Sequence, residues 1–219
     1  MTIPIFRRSW EDRQFPSFYF PNGVVYWKKY RVEVDPIMEL TERTRSSRLV
    51  YDGKLLKVYY DTVELANGAP AWREVVRHPG AVVVVPVDSQ GNVYLVRQYR
   101  YPYGKALLEV PAGKLEPGEQ PLPAAQRELE EEIGARAGRW TEMGQLLPTP
   151  GFCDERQYVY LARELELGQS HPDEDEFLEV VKLPLAQAAD MAGDGRLEDC
   201  KTVAAILRAC RVLERERNG

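Results

Sequence analysis

The chain has few cysteines, no long apolar run and no excess of positive charge, and each shortage closes off a class of protein. Its three cysteines, Cys153, Cys200 and Cys210, are odd in number and widely spaced, with no CxxC pair. That is no disulfide framework, and it suggests a reducing compartment. The longest apolar stretch, Ala81–Val87, is far too short to cross a bilayer. Met1–Trp10 carries two arginines with no apolar segment behind them, so no secretory signal is expected. A cytoplasmic location follows as the expectation. Against 29 Lys and Arg stand 34 Asp and Glu, a net charge of −5. This argues against a broad nucleic-acid face and against attachment to an anionic membrane. An anionic substrate would have to be held by local positive groups or by metal ions. There is no internal repeat and no low-complexity tract.

What is present is a globular composition: 44% hydrophobic and 29% charged residues in 219. That length suits one domain, or one domain with a small appendage. Composition shifts near residue 38. The first 37 residues hold nine of the 22 aromatics and a net +2, leaving −7 for the remainder. Two readings of 1–37 stand open, an aromatic extension that packs on the body or a partner, or a start codon assigned too early; the second is preferred. Residues 38–78 read as a small β region and 79–219 as the main domain.

Lys54–Leu65 and Trp72–Arg77 predict paired strands joined by the Asn-Gly turn at 66–70. Ala81–Val87 predicts a buried strand, and after the turn at 88–92 the chain returns as a strand over Val93–Tyr99. Leu107–Val110 is a short apolar segment. Leu122–Ile133 predicts a helix, opened by Pro121 and Pro123 and stopped by Gly134. Gln157–Ala162 and Phe177–Leu183 predict strands, and Pro184–Ala192 and Lys201–Leu213 predict helices. The sum is a mixed α/β or α+β sandwich.

The informative segment runs from Gly113 through Glu119 to Arg127-Glu-Leu-Glu-Glu-Glu-Ile-Gly134. Helical residues three and four apart share a face, so Glu128, Glu131 and Glu132 crowd one side. Leu129 and Ile133 point elsewhere and can anchor the helix in the core. Arg127, four before Glu131, can hold that carboxylate and share Glu119 from the preceding loop. A run of glutamates reads first as a solvated face. Here, however, like charges at this spacing destabilise by a few tenths of a kcal/mol, roughly. They also lie toward the helix C-terminus, where the dipole disfavours anions. A compensating cation is the natural resolution, and clustered hard oxygen donors suit Mg²⁺ or Mn²⁺.

Gly113, Glu119, Arg127-Glu128-Leu129, Glu131-Glu132 and Gly134 resemble the Nudix box, G-x5-E-x7-R-E-U-x-E-E-x-G-U, at every fixed position. The one departure is Ala135, where a bulkier apolar residue is usual; it affects packing at the helix exit more than chemistry. Leu95–Arg100, Leu108–Gly113, Pro150–Glu155 with Pro150 sixteen residues beyond Gly134, and His171–Glu176 extend the likeness to the ADP-ribose pyrophosphatase branch. It covers roughly Met38 to Leu213.

The resemblance implies a Nudix α/β/α sandwich with a mixed sheet, preceded by an antiparallel N-terminal β region. It implies Mg²⁺-dependent hydrolysis of ADP-ribose to AMP and ribose 5-phosphate, with Mn²⁺ a possible substitute. Glu128, Glu132, Glu176 and the Ala112 carbonyl would be metal ligands, with Glu131 close by. Glu174 would be the general base, a role it could exchange with Glu176. Arg100 and Arg73 are candidate diphosphate or ribose contacts, because a guanidinium offers paired donors to phosphate oxygens. Leu55, in a strand region resembling the adenine-contacting part, is a weaker candidate. Pro150 would shape the wall of the nucleoside pocket, while Gly113, Glu119 and Gly134 are the structural residues of the box. A homodimer with swapped N-terminal strands is implied, in which Arg73 serves the neighbouring subunit. His78, His171, Cys153 and Glu116 read as structural or loop residues. A nucleotide-sugar hydrolase of broader taste is the competing reading. A non-catalytic ADP-ribose-binding module is the other, although such modules are expected to lose box carboxylates that are all present here.

Overall fold

In the computed structural model the described residues are 40–171 and 177–218, with the backbone of two short paired strands, β1 (Tyr26–Trp27) and β2 (Tyr30–Arg31). The segment 172–176, which carries Glu174 and Glu176, lies outside them, as does almost all of 1–39.

The fold is organised around β6 (Ala81–Pro86), in which all six residues are buried. Its continuous valine run is explained by cover on both faces. Val83 and Val85 pack against the helix α3 (Cys200–Asn218) through Ala205, Ile206 and Ala209. Val82 and Val84 pack on the other side against Ala124, Ala125 and Leu129 of α1 (Pro121–Ile133). Leu129 and Ile133 are therefore core anchors, as their spacing predicts.

Beside β6 stand β11 (Gln157–Leu167), parallel to it, and β9 (Ala112–Lys114), antiparallel; β10 (Ala135–Leu146) completes the mixed sheet in the order β10-β11-β6-β9. A second, antiparallel sheet orders β12 (Leu178–Pro184), β7 (Asn92–Arg100) and β8 (Lys105–Glu109). Helix α2 (Leu185–Gly193) follows β12 and packs with α3. The expected α/β/α sandwich is what forms. Ahead of it lies an antiparallel sheet of β3 (Arg43–Asp52), β4 (Lys57–Glu64) and β5 (Pro70–Arg77).

One expectation needs correction. Leu55 is not in a strand: Gly53–Leu56 forms the β3–β4 turn, closed by Gly53 N–H to the Leu56 carbonyl, and leaves Leu55 61% exposed. The strand expected over 93–99 forms as β7; it meets the end of β6 at a single bridge, Val87 with Val93, and pairs in the second sheet. Strands β3, β9 and β10 had no clear sequence signal. β3 is exposed along its whole length and largely polar, and β10 is interrupted by a register shift between Glu142 and Gln145, at Gly144 with φ of 82°.

Candidate active site

The box closes into one corner between β9 and α1. Pairing of β9 with β6 sets Gly113 opposite Val82, and α1 covers that face. A Cβ on Gly113 would lie 1.9 Å from Glu128 Oε1, so only glycine leaves room for that carboxylate. One residue earlier, the Ala112 N–H donates to Glu132 Oε2 at 3.2 Å. Glu128 and Glu132 are 9% and 4% exposed, an uncommon depth for carboxylates.

Arg127 organises the cluster. Its Nε and Nη2 grip Glu119 at 3.1 and 3.0 Å, while Nη1 donates to Glu128 Oε1 and Glu131 Oε2, each at 2.8 Å. Nη2 also reaches the Lys114 carbonyl at 3.2 Å, tying the loop strand to the helix. The Glu119 hydrogen bonds, with Glu128 and Glu131, raise the Arg127 pKa against the opposing effect of burial. The Arg127 fork and the Glu116 N–H hold the Glu119 carboxyl below the usual range. Three carboxylates thus face one guanidinium and Glu132 lies beside them on the Ala112 N–H, so negative charge is in excess in the corner.

Among the described residues no three His, Cys, Asp or Glu side chains form a closed metal cage. Mg²⁺ needs none: it is commonly held by one or two carboxylates, with waters and substrate phosphates completing its shell. An open, oxygen-only corner with excess negative charge fits that cation.

Helix α1 ends on Gly134, left-handed at φ of 65°, whose N–H caps the Glu130 carbonyl. A Cβ there would meet the backbone of Gln169 and Ser170 at 2.5 Å. The Gly168 N–H bonds the Gly134 carbonyl at 2.6 Å, and the His171 N–H bonds the Glu131 carbonyl at 2.9 Å. The stem leading to 172–176 is therefore fastened to the acidic end of α1.

The remaining sequence candidates fall in two places. Arg100, at the end of β7, aims its fork at Glu109, with Nε–Oε1 and Nη2–Oε2 both 2.7 Å. Arg73 and Pro150 instead line a cavity of about 770 Å³ between β5 and the loop over 150–154, with Arg77, His78, Phe152 and Tyr158. Arg73 pairs with Glu42 and donates to the Trp72 carbonyl at 2.7 Å. The loop is held by Val76 N–H to the Phe152 carbonyl at 2.7 Å and by Arg77 to Asp154 at 3.3 Å. Sequence reasoning passed over Glu109, Lys201, Asp199, Arg77 and Asp154. The one available signal was Glu109, a lone carboxylate ending an apolar strand.

A NUDIX domain model matches residues 76–205, and a nucleoside diphosphate sugar hydrolase N-terminal domain model matches 42–76. The chain belongs to the Nudix family. It is a Nudix hydrolase, 41% identical over 169 residues to an ADP-ribose pyrophosphatase of Bacillus subtilis (strain 168), a match covering 76% of this chain and 91% of that one. It is 40% identical over 167 residues to a methanol dehydrogenase activator of Bacillus methanolicus, covering 75% of this chain and 90% of the relative. Among solved structures, an ADP compounds hydrolase superposes with a TM-score of 0.73 at 27% identity, covering 81% of this chain and 97% of its own.

Proposed function

We propose that this Nudix hydrolase splits the diphosphate of ADP-ribose with water, giving AMP and ribose 5-phosphate. The observation that carries the reading is the corner in which Glu128 and Glu132 are buried against Gly113 and Ala112 under the Arg127 fork. The likeness to an ADP-ribose pyrophosphatase and to an ADP compounds hydrolase supplies the substrate class.

Glu128, Glu132, Glu176 and the Ala112 carbonyl would hold Mg²⁺, or Mn²⁺ in its place. When bound, the cation offsets charge on the diphosphate and acidifies the attacking water. Arg127 keeps the carboxylates in position, with Glu131 at the mouth of the corner and Glu119 and Gly134 bracing the loop and the helix end. Glu174 takes the proton from water as general base, or Glu176 if the two exchange roles. Arg100 contacts the diphosphate. Displacement at phosphorus rests on positioning and electrostatics, so no protein nucleophile is required. Pro150 walls the nucleoside pocket, and Leu55 is a weaker candidate for an adenine contact. The protein works as a homodimer in the cytoplasm, without a nucleic-acid or membrane partner, and Arg73 serves the neighbouring subunit's site. The division into 38–78 and 79–219 follows this scheme. The dimer is supported by apolar side chains left exposed on the N-terminal sheet, among them Leu49, Val50, Tyr51 and Trp72, the last 59% exposed. No helix among the described residues is long and apolar enough to cross a membrane.

A broader nucleotide-sugar hydrolase is the second reading, favoured by the match of 42–76 to a nucleoside diphosphate sugar hydrolase domain. A substrate panel with Mg²⁺ or Mn²⁺, read as phosphate released after phosphatase treatment, separates them. ADP-ribose is expected to lead GDP-mannose and diadenosine polyphosphates in kcat/KM, and equal rates across the panel would refute the specific substrate.

A further inference from the structure

Outside the box corner, the carboxylate of Glu109 at the end of β8 is only 2% exposed and is met by two cations. Arg100 lies on the same face of the β7–β8 hairpin and meets it with a two-pronged fork, Nε–Oε1 and Nη2–Oε2 both 2.7 Å. That geometry is the strong form of a charged hydrogen bond. One cation would already satisfy Glu109, yet Lys201 of α3 also donates to its Oε2.

Lys201 is itself held. Its Nζ donates to Asp199 Oδ2 at 2.9 Å, and Asp199 accepts from the Thr202 N–H at 3.0 Å and the Thr202 hydroxyl at 2.6 Å, capping α3. Thr202 Oγ1 in turn accepts from the Val110 N–H at 2.9 Å, next to Glu109 in the chain. The bonds close a ring through Glu109, Lys201, Asp199, Thr202 and Val110. It joins elements about ninety residues apart and sits directly before Pro111-Ala112-Gly113. Burial opposes ionisation of Glu109, but Arg100 and Lys201 outweigh it and hold the carboxyl below its ordinary value.

Arg100 joins this ring from outside, through Glu109. Its fork is spent on Glu109, and among the described residues its Nη1 edge donates to no partner. Arg100 also feels the Glu132 carboxylate, which places its guanidinium in the field of the acidic corner. A carboxylate locked from two sides fixes where that edge points, as a lone Glu–Arg pair would not.

We propose that Lys201, acting through Glu109, is a positioning residue for Arg100, so that the C-terminal helix sets the guanidinium that meets the substrate diphosphate. The proposal rests on the reading of Arg100 as a diphosphate contact, and a double-mutant cycle tests the two separately. Full-length wild type, Arg100→Ala, Lys201→Met and the double variant are assayed with Mg²⁺ and ADP-ribose, and each is melted to verify folding. Lys201→Met should raise KM about tenfold with kcat within about twofold, the loss of a contact made equally in ground and transition states. Lys201→Arg should recover most of it. In the Arg100→Ala background Lys201→Met should add nothing, because its effect is already gone. Equal factors in both backgrounds, or a fall in kcat at constant KM, would overturn the positioning role. An Arg100→Ala KM equal to wild type would instead overturn the contact itself. Should Lys201→Met fail to fold, Lys201→Gln carries the same cycle, since it keeps a polar side chain there while removing the positive charge on Glu109 Oε2.

Discussion

The box corner and the N-terminal sheet are built on opposite terms. In the corner, charged side chains are buried and every carboxylate described has a partner inside the same domain. In the N-terminal sheet, apolar side chains are exposed and β3 has no buried residue at all. The first arrangement is complete except for positive charge; the second is complete except for cover. The contrast teaches that the two regions differ in what they leave open, negative charge at one place and apolar surface at the other. The cavity is lined by the N-terminal sheet at β5 and by the 150–154 loop.

If that contrast is right, substitutions in the corner strike chemistry and those on the sheet strike assembly. The largest effect should come from Glu132→Gln, which removes charge without changing shape. Changing a group that merely supports a metal ligand costs up to about a hundredfold, so a ligand itself should cost more. Turnover with saturating Mg²⁺ measures it, and unchanged turnover would remove the metal assignment.

Gly113→Ala comes next. The added Cβ collides with the Glu128 carboxylate, which the Arg127 bond and the core-anchored helix hold in place. A destabilisation of about 1–3 kcal/mol is expected by urea unfolding, with a fall in kcat as Glu128 is displaced. The same change at Gly193, where a Cβ would meet nothing within 4 Å, gives the control.

A smaller effect separates the corner's flank from the sheet by pH. The folded-state pKa of Glu109 is depressed, so its stabilising contribution is present above its ordinary value of 4.5 and is lost as pH falls through the folded value. Wild type should therefore lose Tm on acidification below that point more steeply than Glu109→Gln. Parallel acid limbs would mean that the Glu109 pKa is not depressed in the folded protein.

The smallest effect on the fold belongs to Leu49→Asp on exposed β3. Stability of the subunit should move by no more than about 0.5 kcal/mol. The mass by light scattering should shift toward the monomer, with KM rising if the neighbouring subunit completes the pocket. A monomeric wild type would break the contrast at its second half.

How far these regions could be read from sequence differs for a physical reason. Glu128, Glu131, Glu132, Leu129 and Ile133 were legible because helical period alone assigns their faces, and Arg127 was legible because it stands one turn from Glu131. β6 was legible from its valines. β10 was not, since Gly138, Gly144 and the register shift erase any alternation. The exposed β3 was missed because a polar strand with neither face buried carries no period. Leu55 was misplaced because Lys54-Leu-Leu56 continues the apolar character of the strand it precedes, while the turn is set by Gly53.

The sequence by itself determined the Nudix box, the acidic helix and the demand for a cation, because these depend on residues within about two dozen positions whose geometry the helix dictates. Only the tertiary structure decided that Gly113 must be bare to admit Glu128, that Arg100 and Lys201 meet on Glu109, and that Arg73 and Pro150 share a cavity. Those meetings follow from strand order and helix docking, which bring together residues that no local period relates.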